Sequence, residues 1–400
     1  MMLIEPFIQA LPIIQTIEKN GHQAFFVGGC VRDYLLKRAI GDIDIATSAT
    51  PDQVNAMFDQ VIPVGIKHGT VIVRHEKQSY EVTTFRAEGS YSDKRHPDTV
   101  VYLDNIEKDL ERRDFTINAM AMDTHGEIID LFHGQVDLAK GIIRTVGNGY
   151  DRFMEDSLRI IRALRFTSQL GFTIEKNTLE AMIAVQHQID FLAIERITNE
   201  LIKLFSGEYV DLGIAFLKKT NIDQHLPIIK DNPRFFERLP VPFPPVKNAE
   251  ELFCLFTYMN KDISIQDWVK AWKCSNKTKN NAMALLDALQ HLKKNELDRW
   301  LVYKLNRPLF PSFIRLANTL LDQDIALEHM HALYEQLPIY SVSDLEINGN
   351  NLIQLFPDVN QGPWLREMIN KIEYAVVVGQ VVNNKSEIKE WIKWNPPGIS

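Results

Sequence analysis

Along the first 145 or so residues, hydrophobic positions come in short runs, several with a period of two. Ala24 to Val27, Asp42 to Ala46, Thr70 to Arg74, Ser79 to Phe85 and Val100 to Leu103 are rich in Val, Ile, Phe and Thr and predict strands. Runs with helical spacing lie between them, among them VRDYLLKR after the first strand, and MAMDTHGEIIDLF predicts a hairpin turning near His125 and Gly126. Beyond residue 150 almost every apolar pattern has helical spacing and strand signals nearly vanish. The chain therefore reads as an α+β protein, a head of alternating strands and helices followed by an all-helical remainder. LPVPFPPVKN, from Leu239 to Asn248, carries four prolines and cannot be helix interior, so it reads as a connector or surface loop.

Composition narrows the picture. With 400 residues, 45% of them hydrophobic, the chain can fill two to four compact units. Cys30, Cys254 and Cys274 are far apart and lack metal-ligand spacing, which indicates neither a disulfide framework nor a zinc site and points to a reducing compartment. No stretch approaches about 20 uninterrupted apolar residues, and the N-terminus carries Glu5 and Pro6 without a basic start. Neither a membrane span nor a secretory signal is expected, and the location expected is cytoplasmic. The net charge of -8 excludes a uniformly basic nucleic-acid coat but allows a local one. Such a stretch runs from Lys270 to Lys304, where Lys270, Lys273, Lys277, Lys279, Lys293 and Lys294 are interleaved with Trp272, Trp300 and Tyr303. That mix suits a phosphate backbone, and it equally suits a solvated helix face.

Candidate chemistry begins in AFFVGGCVRDYLLKRAIGDIDIATSAT. Asp42 and Asp44 stand at i and i+2 in a strand pattern, which places both carboxylates on one face. Held that close they repel unless a cation intervenes, and a hard divalent ion such as Mg2+ prefers these oxygen ligands. Gly28 and Gly29 precede them in a strand, tight turn, helix order that lets backbone N-H groups approach a phosphate, with Arg32 placed to support the same anion. A phosphate cradle followed by paired acids describes triphosphate binding with metal-assisted attack at phosphorus. Glu81, in the strand pattern SYEVTTF, is a candidate third carboxylate, although a solvent-facing glutamate fits the pattern as well.

GGCVRD, then GDIDIAT, then ERRDFTINAMA (111 to 121) and RFMEDSLRIIRALRF (152 to 166), in that order over roughly the first 205 residues, resemble the class II tRNA nucleotidyltransferases. That group comprises the CCA-adding enzymes and the related bacterial poly(A) polymerases. The resemblance implies a polymerase-β-like nucleotidyltransferase head with a small mixed sheet (1 to 146) and a helical neck that recognises the base (147 to 206). A helical body (207 to 304) and tail (305 to 400) that bind tRNA would follow. It implies template-independent addition of CCA to the tRNA 3' end from CTP and ATP, with Mg2+ and release of pyrophosphate, and leaves room for a homodimer.

By the same resemblance Arg113, Asp114 and Asn118 contact the triphosphate and sugar of the incoming nucleotide. Arg112 and Arg113 can grip phosphates bidentately, and Asp114 is placed to cap a helix-like run. Asp156 and Arg159, three apart on an expected continuous helix, are neighbours that as a bare pattern make an ion pair. Chemistry allows more. Cytosine and adenine both present an amino donor beside a ring-nitrogen acceptor, which a carboxylate and a guanidinium complement, whereas uracil and guanine reverse both polarities. The resemblance assigns this reading to Asp156 and Arg159, with Glu155 orienting the arginine. Arg162 and Arg165 extend the row toward phosphate or toward neighbouring acids, and Glu200 with Lys203 forms an expected structural pair. Lys67, His68 and Gly69 resemble CCA-adding enzymes rather than poly(A) polymerases, and the polar loop from Arg86 to Tyr102, with Asp93 and Arg95, suggests full rather than CC-only or A-only addition. An inactive RNA-binding relative is the remaining alternative.

Overall fold

The computed structural model describes residues 3 to 64, 69 to 88 and 100 to 396, which form two compact units, Met1–Val246 and Lys247–Ser400. The division falls inside the proline-rich stretch, where helix cannot propagate.

The first unit opens on helix α1 (Phe7–Lys19), whose buried Phe7 meets strand residue Phe26 edge to face at 4.9 Å. Strands β1 (Ala24–Val27), β2 (Asp44–Thr47), β3 (Val61–Ile62), β4 (Thr70–His75) and β5 (Gln78–Thr84) belong to one sheet. β6 (Arg86–Glu88) and β7 (Val100–Tyr102) form a separate pair, and the hairpin β8 (Ala121–Met122) and β9 (Ile128–Ile129) returns to the main sheet. The order across that sheet is β3-β4-β5-β2-β1-β8-β9. Within that sheet β2 and β5 run parallel while the other described pairings are antiparallel, and the β2–β5 register sets Asp44 opposite Glu81. The alternating burial of β5 follows its sequence, with Tyr80 and Val82 turned inward and Glu81 outward. Helices α2 (Gly29–Leu35), α3 (Pro51–Met57), α4 (Ile106–Glu111) and α5 (Gly134–Lys140) complete the head. A core of Val27, Ala46, Phe85, Ile106, Leu110 and Ala121 joins the sheet to α4.

Three expectations are corrected here. β2 begins at Asp44, so Asp42 lies in the exposed approach and not within the strand. The run after Asp114 is no extended helix but one 3-10 turn over Thr116–Asn118 that leads directly into β8. The EDSLRIIRALRF segment is not one helix either: α6 (Gly149–Glu155) stops, Asp156 is extended at φ -142 and ψ 102, and α7 (Leu158–Leu170) starts afresh.

Beyond the head, β10 (Ile142–Ile143) pairs with β11 (Thr173–Ile174), and α6 and α7 are joined by α8 (Lys176–Val185), α9 (Ile194–Phe205) and α10 (Val210–Lys219). The stripe Ile197, Leu201, Leu204 and Phe205 buries one face of α9. Gly207 lets it close: a Cβ there would stand 2.0 Å from Ser168 Oγ and 2.4 Å from Ser168 O on α7.

The second unit is helical from α11 (Ala249–Met259) through α12 (Ile265–Ala271), α13 (Asn276–Lys294), α14 (Arg299–Lys304), α15 (Phe310–Leu320), α16 (Leu327–Glu335), α17 (Gly349–Leu355), α18 (Pro363–Val377) and α19 (Lys385–Trp394). Trp272 is not an exposed stacking platform. It is buried against Phe253 and Trp268, at ring separations of 6.0 and 6.2 Å. Trp300 and Tyr303 stack on each other at 5.7 Å against the core built by α18 and α19.

Candidate active site

Where β1 ends, the chain turns through Gly28 at φ 76 and ψ -129, a backbone region essentially closed to residues with a side chain. A Cβ there would also stand 2.9 Å from Arg113 Nη1 and 3.9 Å from Asp44 Oδ2. The glycine thus brings the first turn of α2 against an arginine and a carboxylate at once. Asp44, at the first position of β2, lies beside Glu81 of β5 in register. Burial, joined by the charges of Glu81 and Asp42 and opposed by Arg113, raises the Asp44 carboxyl to about 6. Its ionised form is under-compensated, a condition a cation would relieve. Among the described residues no three acidic, His or Cys side chains form a ready-made metal cage. An open set of carboxylates fits a hard cation that completes its shell with water and substrate oxygens.

Two acids that the sequence pattern did not single out, Asp109 and Asp33, hold arginines of the cleft. Asp109, 1% exposed on α4, accepts from Arg112 Nε and Nη2 at 2.9 and 2.7 Å through one oxygen and from Arg113 Nη2 at 3.2 Å through the other. Arg32 is engaged bidentately by its neighbour Asp33 at 2.9 Å and donates to Asn118 Oδ1 at 2.7 Å. Asp114 accepts from the Phe115 amide at 2.8 Å, from Asn118 Nδ2 at 3.1 Å and from Arg162 Nε at 2.8 Å. Burial alone would raise its pKa, but Arg162 and the Asn118 amide outweigh burial and hold it at about 2. Arg165 does not pair with Glu155. Its Nη1 stands 2.8 Å from Glu200 of α9, so Glu200 serves Arg165 and not Lys203. Burial lowers Arg165 to about 10, helped by the charge of Arg162. The guanidiniums of Arg32, Arg162 and Arg165 surround the Phe166 ring at 5.2, 5.7 and 4.4 Å.

Asp156 and Arg159 do not pair with each other. The break between α6 and α7 turns the aspartate away from a helical neighbour position, and each group has its own partners. Asp156 Oδ1 accepts from the Leu158 amide at 3.1 Å and Oδ2 from Arg196 Nη2 at 2.8 Å. Arg159 Nη1 donates to Glu155 Oε2 at 2.5 Å and to the Arg152 carbonyl at 2.9 Å, while its Nη2 donates to the Arg112 carbonyl at 3.2 Å. Glu155 is held in turn by Arg152 at 3.0 Å. A pinned acceptor and a pinned donor lining one cleft can meet the edge of a planar base.

Gly28, Asp44, Glu81, the arginines Arg32, Arg112, Arg113, Arg159, Arg162 and Arg165, and Asp114, Asn118 and Asp156 line one open cleft of about 970 Å3, while Asp42 and the supporting groups Asp33, Asp109, Arg152, Glu155 and Glu200 do not. Nine of its lining residues are Arg or Lys and four are Asp or Glu, so a protein of net charge -8 concentrates positive charge there for an anionic ligand. Arg196 and Lys203 on α9, Arg86 and Gln169 also line it and were not singled out as site residues from sequence. Lys67, His68, Asp93 and Arg95 lie outside the described residues. In the second unit Lys270, Lys273, Lys277, Lys293 and Lys294 are exposed and Lys279 is half-buried. Lys279 and Lys293 on α13 are separated by roughly 20 Å of helix.

Three family models match the chain: a poly A polymerase head domain over residues 24 to 144, a probable RNA- and SrmB-binding site of polymerase A over 171 to 232, and a putative tRNA nucleotidyltransferase domain 2 over 245 to 392. A CCA-adding enzyme of Oceanobacillus iheyensis is 47% identical over 99% of both chains, and one of Bacillus cereus is 40% identical over 98% of this chain and 99% of the relative. The crystal structure of the Bacillus stearothermophilus CCA-adding enzyme in complex with CTP superposes with a TM-score of 0.86 at 35% identity, covering 98% of each chain. A Thermotoga maritima CCA-adding enzyme complexed with tRNA shares the fold at a TM-score of 0.57 and 21% identity. Identity at this level over nearly the whole of both chains, with a superposition that covers 98% of each, makes this chain a member of the CCA-adding enzyme family.

Proposed function

We propose that the cleft joins CTP and ATP to the 3' end of tRNA, building CCA without a nucleic-acid template and releasing pyrophosphate at each step. The observation that carries this is the separate anchoring of Asp156 and Arg159 in the same cleft as the carboxylates of β2 and β5. The carboxylate accepts from the amino group of cytosine or adenine, and the guanidinium donates to the adjacent ring nitrogen. Uracil or guanine would set carbonyl against carboxylate and N-H against guanidinium, and each unmet buried polar group costs about 1 to 3 kcal/mol. Gly28 and Gly29 keep the floor clear for the triphosphate, with Arg112, Arg113 and Arg32 held against it by Asp109 and Asp33. Asp114 and Asn118 lie beside the sugar. Asp42, Asp44 and Glu81 would hold Mg2+, which supplies activation of the primer hydroxyl and neutralises charge on the leaving pyrophosphate. The neck would carry base selection, and the body and tail, through Lys270, Lys273, Lys277, Lys279, Lys293 and Lys294, would bind the tRNA elbow by its backbone. Such a substrate fits a cytoplasmic location; no described helix is long and apolar enough to cross a membrane.

The test is to incubate purified protein with Mg2+ and tRNA lacking its 3' end, give each nucleotide singly and then CTP with ATP, and resolve products at single-nucleotide length. Two C additions, one A and a stop are the expected result. A long A ladder would make the protein a poly(A) polymerase, and a product ending at CC would limit it to partial addition.

A further inference from the structure

We infer that Arg196 is a positioning residue for base selection: from α9 it holds the Asp156 carboxylate in place as a hydrogen-bond acceptor. This rests on the reading of Asp156 and Arg159 proposed above. Asp156 occupies the extended break between α6 and α7, so its side chain does not take the direction that helical dihedrals would give it. Two contacts hold it: the Leu158 amide at 3.1 Å on one oxygen and Arg196 at 2.8 Å on the other. The second comes from 40 residues along the chain, and both side chains are sheltered, with exposures of 20% and 19%.

Arg159 needs no such help, since Glu155, the Arg152 carbonyl and the Arg112 carbonyl already hold it. Without Arg196 the Asp156 carboxylate would be left with Arg159 and with Arg162, on which its charge already acts. A swing toward Arg159 would spend the acceptor on the donor, and neither would then be available to a base. Arg196 therefore keeps the two reading groups apart. Its guanidinium can hold one carboxylate oxygen while the remaining lone pairs face the cleft.

The experiment uses the full-length protein and tRNA ending one nucleotide before each addition. It measures kcat and KM for CTP, ATP, UTP and GTP in the wild type, Arg196→Ala, Arg196→Lys, Asp156→Ala, Arg159→Ala and the double variant Arg196→Ala/Asp156→Ala, with thermal unfolding of each. Arg196→Ala is expected to lose on the order of ten- to a hundred-fold in preference for CTP and ATP over UTP and GTP, mainly through KM. Asp156→Ala should lose as much, the double variant no more, and Arg196→Lys, which still pairs with a carboxylate, should recover part of the preference. Wild-type selectivity in Arg196→Ala, with selectivity lost in Asp156→Ala, overturns the role of Arg196 and leaves the base reading standing. Wild-type selectivity in both Asp156→Ala and Arg159→Ala overturns the base reading, and the role of Arg196 with it. Should Arg196→Ala fail to fold, Arg196→Gln decides the same question: retained selectivity in that folded variant overturns the role, and lost selectivity supports it.

Discussion

Gly28 couples conformation to function more tightly than any other position in the cleft. Gly28→Ala must adopt φ 76 and must also displace Arg113, whose Nη1 lies 2.9 Å from the new methyl group. A stability cost of about 1 to 3 kcal/mol is expected from the backbone alone. A steep loss of nucleotide incorporation should accompany it, checked by thermal unfolding beside a single-turnover assay. Asp114 gives a second test, through pH. Its folded pKa of about 2 lies below the usual 3.8, so ionised Asp114 stabilises the fold above about pH 4, and that stability drains away as pH falls toward 2. Denaturant titrations from pH 6 to 2 should show a loss on the order of 2 kcal/mol attributable to this group. Asp114→Asn should start less stable at neutral pH, because it strands Arg162, and should lack that share of the acid sensitivity.

At the scale of elements, the parallel pairing of β2 with β5 makes Glu81 a neighbour of Asp44. Glu81→Gln is expected to raise the Mg2+ concentration needed for half-maximal activity several-fold while leaving the melting temperature nearly unchanged; an unaltered Mg2+ requirement would return Glu81 to an ordinary exposed strand residue. The strands themselves were legible because their Val, Ile and Phe runs are short and bounded by turn residues. β1, β4 and β5 lie where alternation placed them, within a residue at each end. The start of β2 was less legible, since Asp42 and Asp44 satisfy the same alternation whether or not both are paired. The break at Asp156 was hidden for another reason. The apolar residues of α7 fit a longer helix equally well, and the partner of the extended Asp156, Arg196, is brought from α9, 40 residues along the chain. Asp109 escaped notice similarly, because its meaning appears only once α4 sets it under Arg112 and Arg113. The aromatics near Lys270 pointed two ways. Interleaving with lysine left open a phosphate-binding stretch or a solvated helix face, and the same spacing buries Trp272 while the lysines stay outside.

Over the whole molecule, an acidic chain gathers nine of its 44 Arg and Lys residues in one cleft and sets further lysines at the two ends of α13. Binding of tRNA should therefore weaken with salt, with a slope that counts the phosphates engaged. Replacing Lys277 and Lys279 by Ala, and separately Lys293 and Lys294, should each lower that slope by about 1 to 2 wherever the pair meets phosphate. An unchanged slope in both would remove α13 from the RNA interface. The separate anchoring of Asp156 and Arg159 also has a consequence for heredity. If Asp156 and Arg159 read the base as proposed, the letters written at the end of an RNA are stored as two amino-acid side chains and their supports, and the message is inherited through the gene for this protein and not through any strand being copied. Its accuracy is then set by how firmly a handful of hydrogen bonds hold two side chains, and a single substitution among them would change the ending given to every RNA the protein touches.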